Sequence, residues 1–302
     1  MGKKTVSLVL SSGGARGMAH IGAIEALLES GYEISCIAGC SAGALVGGMY
    51  ARGSLEVFKD WICNLDRVDV FSLMDFTLSS KGFIKGEKVF QALKKIIPDT
   101  PIEELSIPFV CTAVEIPSGK EKVFKSGSLY EAIRASASIP SVFMPAKLHG
   151  KEYIDGGTLN PIPFSIVPKK HQGELLVAVD LNGPREILVE VPRPDKKSST
   201  LKLPHWLLDY RKRFANYFST EEKNEKSKQM SSVDILNFSF DLLQDKLSEL
   251  VIEKQQVDIM MEISRMQAGA LEFHRAAELI AIGKEKMLEA IKKYEDGHQG
   301  IE

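Results

Sequence analysis

Hydrophobic and polar positions near the start of the chain follow the order of a strand, a loop and a helix. Residues Thr5–Leu10 form a β-rich apolar run, and Ser11–Gly17 is a stretch of small residues. Across Met18–Ser30 the apolar positions recur every three to four residues, which is the spacing of a helix with one buried face. Gly31 then supplies a helix stop. The pattern therefore predicts a strand that leads through a glycine-rich loop into a helix.

The same alternation continues further along the chain. Short apolar runs typical of buried strands occur at Ile34–Ala38, Pro108–Ile116 and Leu175–Leu181. Helical patterns cover Ala42–Ala51 and Leu129–Ala137. Strands that alternate with helices in this way indicate a parallel sheet covered by helices on both faces. The predicted fold class is therefore α/β.

The composition changes after the last of these strands. Four prolines and a lysine-rich polar stretch interrupt residues 184–230. Inside this region, His205–Phe218 places aromatic residues along one helical stripe, beside three consecutive basic residues. A helical pattern returns after Ser231 and runs to about Gln255, and Leu271–Tyr294 predicts a final helix. The composition thus distinguishes 184–230 from the segments on either side.

Composition and charge exclude several classes of protein. Of the 302 residues, 44% are hydrophobic and 26% are charged, so the chain has enough apolar surface for a core and is not disordered throughout. The formal net charge is −2, which gives no overall basic field, and we expect no nucleic-acid partner. The apolar stretches are shorter than the ~20 residues of a membrane span. The first apolar run is also shorter than the core of a signal peptide, and we expect a cytoplasmic protein.

The cysteines and acidic residues show no pattern typical of a metal centre. Cys36, Cys40, Cys63 and Cys111 lack paired ligand spacing, and we interpret them as reduced thiols. No cluster of His, Asp or Glu has ligand spacing either. We therefore expect no metal and no cofactor, and an activity that does not depend on calcium.

The first motif with chemical meaning is Gly39-Cys40-Ser41-Ala42-Gly43, which matches G-x-S-x-G. It lies where a predicted strand ends and a predicted helix begins. A serine on such an elbow has a strained backbone and an exposed hydroxyl, and the helix N-terminus favours developing negative charge. The pattern is short, and a tight turn of small residues explains it equally well when it is considered alone.

The second motif is Ser12-Gly13-Gly14-Ala15-Arg16-Gly17, which again lies between a strand and a helix. Consecutive glycines at this place expose backbone N–H groups, which suit an oxyanion or a phosphate. One interpretation is a dinucleotide fingerprint, but its first glycine is replaced by Ser12, and no acidic residue ends the next strand. The other is an oxyanion hole that faces Ser41, since both loops leave the carboxyl ends of parallel strands.

The third motif is Ile154-Asp155-Gly156-Gly157, a carboxylate followed by two glycines after a short strand. This arrangement places Asp155 on a tight, open loop. An ordinary Asp-Gly turn is the simpler interpretation of the motif by itself.

Together and in this order, the three motifs resemble the patatin-like phospholipase family, in its bacterial branch. The similarity extends over nearly the whole chain and includes Leu8–Gly22, Ala135–Pro140 and Phe273–Ala276. It implies a three-layer α/β/α sandwich with a mostly parallel central sheet. The chain would form a single domain over residues 1–302, with the variable, lid-like insertion at about 184–230.

The resemblance also implies a mechanism, that of a serine hydrolase with a Ser–Asp dyad. Ser41 would be the nucleophile of a two-step acyl transfer, and Asp155 would be its base. The oxyanion hole would be formed by the loop residues Gly13 and Gly14, with backbone help from Ala15 and Arg16. The supporting glycines of the motifs are Gly39, Gly43, Gly156 and Gly157. The substrate would be a lipid or another ester, and the alternative is a non-enzymatic regulatory or lipid-binding protein on the same scaffold.

Several roles remain open at this stage. The family often has three consecutive glycines where this chain begins with Ser12, which affects the entry of the loop. The Arg16 side chain could orient a substrate phosphate or carboxylate, or it could fix the loop; we favour the second. We do not expect His20, His149 or His274 to complete a triad.

The aromatic and basic segment 205–218 has two interpretations. It is either a helix packed on the main domain or an interfacial helix that contacts an anionic lipid surface. The second would place the protein peripherally at the inner face of the membrane. The sequence makes no prediction of the oligomeric state.

Overall fold

The computed structural model describes residues 4–79, 82–185 and 232–299. Of the expected insertion at 184–230, only the first two residues fall inside these ranges, and the segment 205–218 lies outside them. The interpretations of both as a lid or a membrane contact therefore stay predictions, as does the single domain over 1–302.

Strands and helices alternate along the described chain. The strands are β1 (Thr5–Leu10), β2 (Glu33–Cys40), β3 (Phe76–Ser79), β4 (Gly82–Ile84), β5 (Phe109–Ile116), β6 (Lys120–Phe124), β7 (Ala146–Leu148), β8 (Lys151–Asp155), β9 (Leu175–Gly183) and β10 (Ile259–Ser264). The helices are α1 (Ala19–Glu29), α2 (Ala42–Ala51), α3 (Leu55–Asn64), α4 (Arg67–Leu73), α5 (Glu87–Ile96), α6 (Leu129–Ser136), α7 (Ser232–Ile252) and α8 (Ala276–Gln299).

The central sheet has the order β10-β9-β1-β2-β5-β8-β7, and β6 pairs with β5 outside this path. From β10 to β5 all neighbours are parallel, whereas β8, β7 and β6 are antiparallel to their partners. Helices surround the sheet and give the three-layer α/β/α sandwich that the sequence predicts, with a mostly parallel sheet. The parallel strands are buried along most of their length, which is why they appear as continuous apolar runs in the sequence.

Close packing of α1 against α8 fixes the helix that follows the first loop. A Cβ atom at Gly22 would lie 1.9 Å from the Ile280 carbonyl oxygen, and one at Gly283 would lie 2.1 Å from that of Ala19. Glycine at both positions lets the two backbones approach at the point where they cross. Because α8 holds α1 in this way, the loop that leads into α1 has a rigid support.

The segments that the sequence analysis did not assign lie at the margins of the sheet. Residues 55–79 and 82–96 form α3, α4, the antiparallel strands β3 and β4, and α5, and β10 adds a parallel edge strand beyond β9. The predicted final helix begins at Ala276, later than expected, because a short 3₁₀ turn over Phe273–Arg275 precedes it. Of these elements, α3, α4, β4 and α5 form one wall of the cavity described below.

Candidate active site

Ser41 occupies a strained turn between β2 and α2. Its backbone has φ 53° and ψ −115°, a conformation that non-glycine residues rarely adopt. A Cβ atom at Gly39 would lie 2.6 Å from the Gly43 carbonyl oxygen, and one at Gly43 would lie 2.3 Å from that of Leu10. The two glycines of the motif therefore permit the sharp turn, and the geometry is that of a nucleophile elbow.

Sheet register brings Asp155 to this turn. The strands β2 and β8 lie on opposite sides of β5. The last residue of β2, Cys40, pairs with Thr112 of β5, and the last residue of β8, Asp155, pairs with the next residue of β5, Ala113. Because β8 runs antiparallel to β5, its last residue lies at the level where β2 ends. The Ser41 hydroxyl consequently donates a hydrogen bond of 2.5 Å to Asp155 Oδ2.

The Asp155 carboxylate is held from several sides. Its Oδ1 accepts the Gly157 N–H at 2.7 Å, and the Asp155 N–H donates to the Ser138 carbonyl at 2.9 Å. A Cβ atom at Gly156 would lie 2.4 Å from the Thr112 carbonyl oxygen, so the turn after Asp155 packs directly on β5. On the other side of the pair, the Ser41 N–H donates to Ser136 Oγ at 2.9 Å.

Burial sets the proton affinity of this carboxyl. Asp155 is 3% exposed, and loss of hydration raises its pKa from 3.8 to about 6, although the hydrogen bonds from Ser41 and Gly157 oppose the rise. The nearby Cys40 thiol lies 4.0 Å from Asp155 Oδ1, and its pKa is raised mainly by burial, so it stays neutral. Asp155 is therefore ionised at neutral pH and is a stronger base than an exposed aspartate.

The glycine-rich loop lies beside Ser41. A Cβ atom at Gly17 would lie 2.2 Å from that of Ala42, which brings the loop against the start of α2. Gly14 has φ +57°, and a Cβ atom there would lie 2.7 Å from the Ala270 carbonyl oxygen. This carbonyl also accepts the Ala15 N–H at 2.8 Å. Ala15 therefore has a partner already, which differs from the expectation that its N–H assists an oxyanion, whereas Gly14 borders the same cavity as Ser41.

The Arg16 side chain fixes the loop from behind. It is buried and donates to the carbonyls of Leu181 at 2.9 Å and Ala268 at 2.8 Å, and to Asn182 Oδ1 at 3.2 Å. Burial, and next the positive charge of Arg265, lower its pKa to about 10. Two of the three acceptors are backbone carbonyls of other segments, which supports the interpretation that Arg16 fixes the loop.

Ser12, the first residue of the second motif, is anchored by its own contacts. Its N–H donates to the Pro161 carbonyl at 2.8 Å, and its carbonyl accepts from Asn182 Nδ2 at 3.0 Å. The sequence analysis did not single out Asn182, because nothing in its local sequence indicates a contact with a loop 170 residues away.

The three histidines named above lie away from the Ser41–Asp155 pair. His20 is buried, its Nε2 lies 3.0 Å from the Ser11 carbonyl, and burial lowers its pKa to about 4. The His149 side chain is 90% exposed, and His274 accepts a hydrogen bond from Arg67 Nε. Each of the three is thus engaged elsewhere or points to solvent.

A largely apolar cavity opens from Ser41. It encloses about 1020 Å³ of free space, its mouth included. Apart from Ser41 and Arg134, the side chains that line it are apolar. They come chiefly from α3, α4, α5 and the segment after α6, and include Leu45, Phe58, Trp61, Leu93, Ala137 and Phe143. The arrangement presents a serine hydroxyl at the wall of a hydrophobic cleft, as a site for an apolar ligand with one polar reacting group requires.

The family model described as patatin-like phospholipase matches residues 8–168, which include the glycine-rich loop, Ser41 and Asp155. The chain belongs to the patatin-like phospholipase family. Uncharacterized NTE family proteins of Mycobacterium bovis and Mycobacterium tuberculosis are 32% identical to this family member, over 96% of this chain and 92% of theirs.

More distant relatives are much longer proteins. A protein of Scheffersomyces stipitis named lysophospholipase NTE1 is 32% identical over 61% of this chain, which corresponds to 12% of its own length. The crystal structure of VipD from Legionella pneumophila has a TM-score of 0.47 and 14% identity, over 96% of this chain and 67% of that one.

Two further properties concern the described ranges only. Within residues 4–79, 82–185 and 232–299, no three or more His, Cys, Asp or Glu residues are grouped so as to hold a metal ion. In the same ranges, no helix has both the length and the apolar character needed to cross a membrane.

Proposed function

We propose that this patatin-like protein is a serine acyl hydrolase for lipid esters, a phospholipase A or lipid carboxylesterase. The proposal rests on one observation above all: the buried hydrogen bond of 2.5 Å between Ser41 Oγ and Asp155 Oδ2, at the wall of an apolar cavity. The name lysophospholipase, given to several relatives that match about 60% of this chain, supports a lipid substrate.

The first half of the reaction forms an acyl-enzyme. Asp155 accepts the Ser41 hydroxyl proton while Oγ attacks the ester carbonyl carbon. The negative charge that develops on the carbonyl oxygen faces the Gly13–Gly14 backbone and the N-terminus of α2. As the tetrahedral intermediate collapses, the bond to the leaving alcohol breaks and Asp155 returns its proton to that oxygen.

The second half repeats these steps with water. Asp155 takes a proton from a water molecule, whose oxygen attacks the acyl carbon on Ser41. Collapse releases the fatty acid, and the proton on Asp155 returns to Ser41 Oγ. A pKa of about 6 suits both roles, because the carboxylate is ionised at neutral pH and is still basic enough to accept the proton.

We further propose that the substrate is taken from a lipid surface, by a protein that acts in the cytoplasm and binds the inner face of the membrane peripherally. Support comes from α7, whose side chains Ile235, Leu236 and Leu243 are 52%, 68% and 65% exposed. The same helix contacts the segment that borders the cavity, since Ser141 Oγ donates to Asn237 Oδ1 at 2.7 Å. Exposed apolar side chains beside an apolar cavity suit contact with acyl chains. Co-sedimentation with phosphatidylcholine vesicles should fall in a Leu236→Ser, Leu243→Ser variant, and unchanged vesicle binding would contradict this surface.

The test of the chemistry compares the wild type with Ser41→Ala and Asp155→Asn on p-nitrophenyl esters and on a lysophospholipid. Both variants should lose at least about 10³-fold in kcat while circular dichroism stays unchanged. Cys40→Ala is the matched control, since this buried thiol adjoins both residues and has no role in the scheme, and it should remain active. Turnover by Ser41→Ala would refute the mechanism. A wild type that is inert on all substrates but binds lipid would favour the non-enzymatic alternative.

A further inference from the structure

Helix α7 turns a row of polar side chains toward the rest of the protein. Gln244 and Ser248 are buried on this side, and Asp241 and Asp245 lie along it. Both aspartates bind the buried guanidinium of Arg265, with Arg265 Nε 2.6 Å from Asp245 Oδ1 and Nη1 3.0 Å from Asp241 Oδ1. Buried polar groups are costly unless they are paired, so the paired members of this row, Gln244 and the two aspartates on Arg265, fix where α7 lies.

Gln244 connects this row to the turn that follows Asp155. Its Nε2 donates to the Gly157 carbonyl at 2.9 Å, and its Oε1 lies 3.5 Å from Arg265 Nη2. The contact is close: a Cβ atom at Gly157 would lie 2.6 Å from Gln244 Nε2 and 3.0 Å from Asp155 Oδ1. Gly157 is therefore enclosed between the Gln244 amide and the carboxylate.

We propose that Gln244 is a positioning residue for the Ser41–Asp155 pair. The Gln244 amide binds the Gly157 carbonyl. This contact keeps the Gly157 N–H directed at Asp155 Oδ1, 2.7 Å away. The inference rests on the proposed function, because it assigns Gln244 a role in aiming the base of that reaction. The sequence gives no sign of this role, since Gln244 lies 87 residues beyond Gly157 on another element.

The direction of the effect follows from the hydrogen bond to the charged carboxylate. Loss of the Gln244 contact frees the Gly157 turn and weakens its N–H bond to Asp155. The ionised form loses stabilisation, so the pKa of Asp155 rises above its value of about 6. As the pH is lowered, activity that needs the ionised carboxylate should then be lost at a higher pH than in the wild type.

Apart from the charge that Gln244→Glu adds, the ionisable groups near the pair are the same in all variants. The Cys40 thiol lies 4.0 Å from Asp155 Oδ1, and Glu121 on β6 accepts hydrogen bonds from Thr112 and Asn160. On the α7 side the charged groups are the Arg265 guanidinium and its two aspartate partners. A shift of the acid limb in Gln244→Met is therefore due to the lost contact, whereas in Gln244→Glu the added negative charge contributes to the shift as well.

The experiment measures kcat and KM against pH for the wild type, Gln244→Met and Gln244→Glu. Met keeps the length of the side chain without its donor, and Glu places an acceptor and a negative charge against the Gly157 carbonyl. We expect kcat to fall about tenfold and the acid limb to move up by about 0.5–1 pH unit, more for Glu than for Met. KM should stay unchanged, because Gln244 does not line the cavity.

Ser248→Ala is the matched control on the same side of α7. Its hydroxyl is buried and has no hydrogen-bond partner in the described part of the chain, so removal should leave the acid limb in place. An acid limb that does not move in folded Gln244→Met overturns the inference, and so does an equal shift in Ser248→Ala. If Asp155→Asn were active, the proposed dyad itself would fail, which is a distinct result.

Discussion

We expect the ionised carboxylate of Asp155 to lower the stability of the protein at neutral pH. An uncharged side chain of the same shape at this position would make the protein more stable. Burial raises the pKa of this carboxyl from 3.8 in the unfolded chain to about 6 in the folded one. A raised pKa means that the folded state prefers the protonated form. The stability associated with that form is complete below pH 3.8 and is lost as the pH rises through 6. Above this range the buried charge costs about 3 kcal/mol.

The substitution that tests this is Asp155→Asn, which keeps the shape of the side chain and removes the charge. The amide oxygen can accept the Gly157 N–H, and the NH₂ group can donate to Ser41 Oγ. The linkage relation predicts a gain in the free energy of unfolding of about 2 kcal/mol at pH 5 and about 3 kcal/mol at pH 8. Any difference between amide and neutral carboxyl is the same at both pH values, so the increase of about 1 kcal/mol from pH 5 to pH 8 is the diagnostic quantity.

Urea unfolding followed by circular dichroism at the two pH values measures it. Asp180→Asn is a useful comparison, since Asp180 is also buried, its pKa is likewise raised to about 6, mainly by burial, and it has no contact with Ser41. The free energy of unfolding of Asp180→Asn should show a pH-dependent gain of the same sign, and this variant should retain ester hydrolysis. If Asp155→Asn is no more stable than the wild type at pH 8, or if its gain is equal at both pH values, the reasoning is refuted.

Two further predictions concern the loop and the cavity. Gly14→Ala should lower kcat about 10²–10³-fold. The added Cβ atom would lie 2.7 Å from the Ala270 carbonyl oxygen, so the loop would have to shift away from the position in which its backbone faces the oxyanion. Gly150→Ala, at a similar positive φ but with no atom within 4 Å of the added Cβ, should keep full activity, and an equal loss would contradict the clash. Ala137 lines the cavity, and Ala137→Leu fills part of it. If the cavity binds the acyl chain, the variant should have a lower kcat/KM for long-chain p-nitrophenyl esters, while hydrolysis of the butyrate ester persists. Equal losses at all chain lengths would contradict this role of the cavity.

Local sequence patterns predicted the elements nearest the centre of the sheet. The residues predicted as the first strand and as the helix after Ser41 are those of β1 and α2, and β2, β5 and β9 differ from their predictions by a few residues. These elements are buried on both faces, so their apolar runs are continuous and bounded by glycine or small residues. The similarity to the family then predicted the layers of the fold, which the structure confirms.

The periphery could not be predicted in the same way. Residues 55–96 fold into short elements with mixed exposure, and their apolar residues face a cavity as well as the core. The 3₁₀ turn at Phe273–Arg275 has only three residues, too few for a period to be recognised. The edge strand β10 alternates buried with more exposed side chains, so it lacks the continuously buried run of the central strands.

The sequence by itself determined which residue types could do chemistry here: a serine on a strand–helix elbow, a carboxylate before two glycines, and a glycine-rich loop. Only the tertiary structure decided how they meet. The antiparallel pairing of β8 with β5 sets the distance of 2.5 Å between Ser41 and Asp155, and burial raises the pKa of the carboxyl. Arg16 and Gln244 support the two loops through contacts with residues 165 and 87 positions away. Contacts and desolvation of this kind depend on the packing of the whole chain, and no local pattern encodes them.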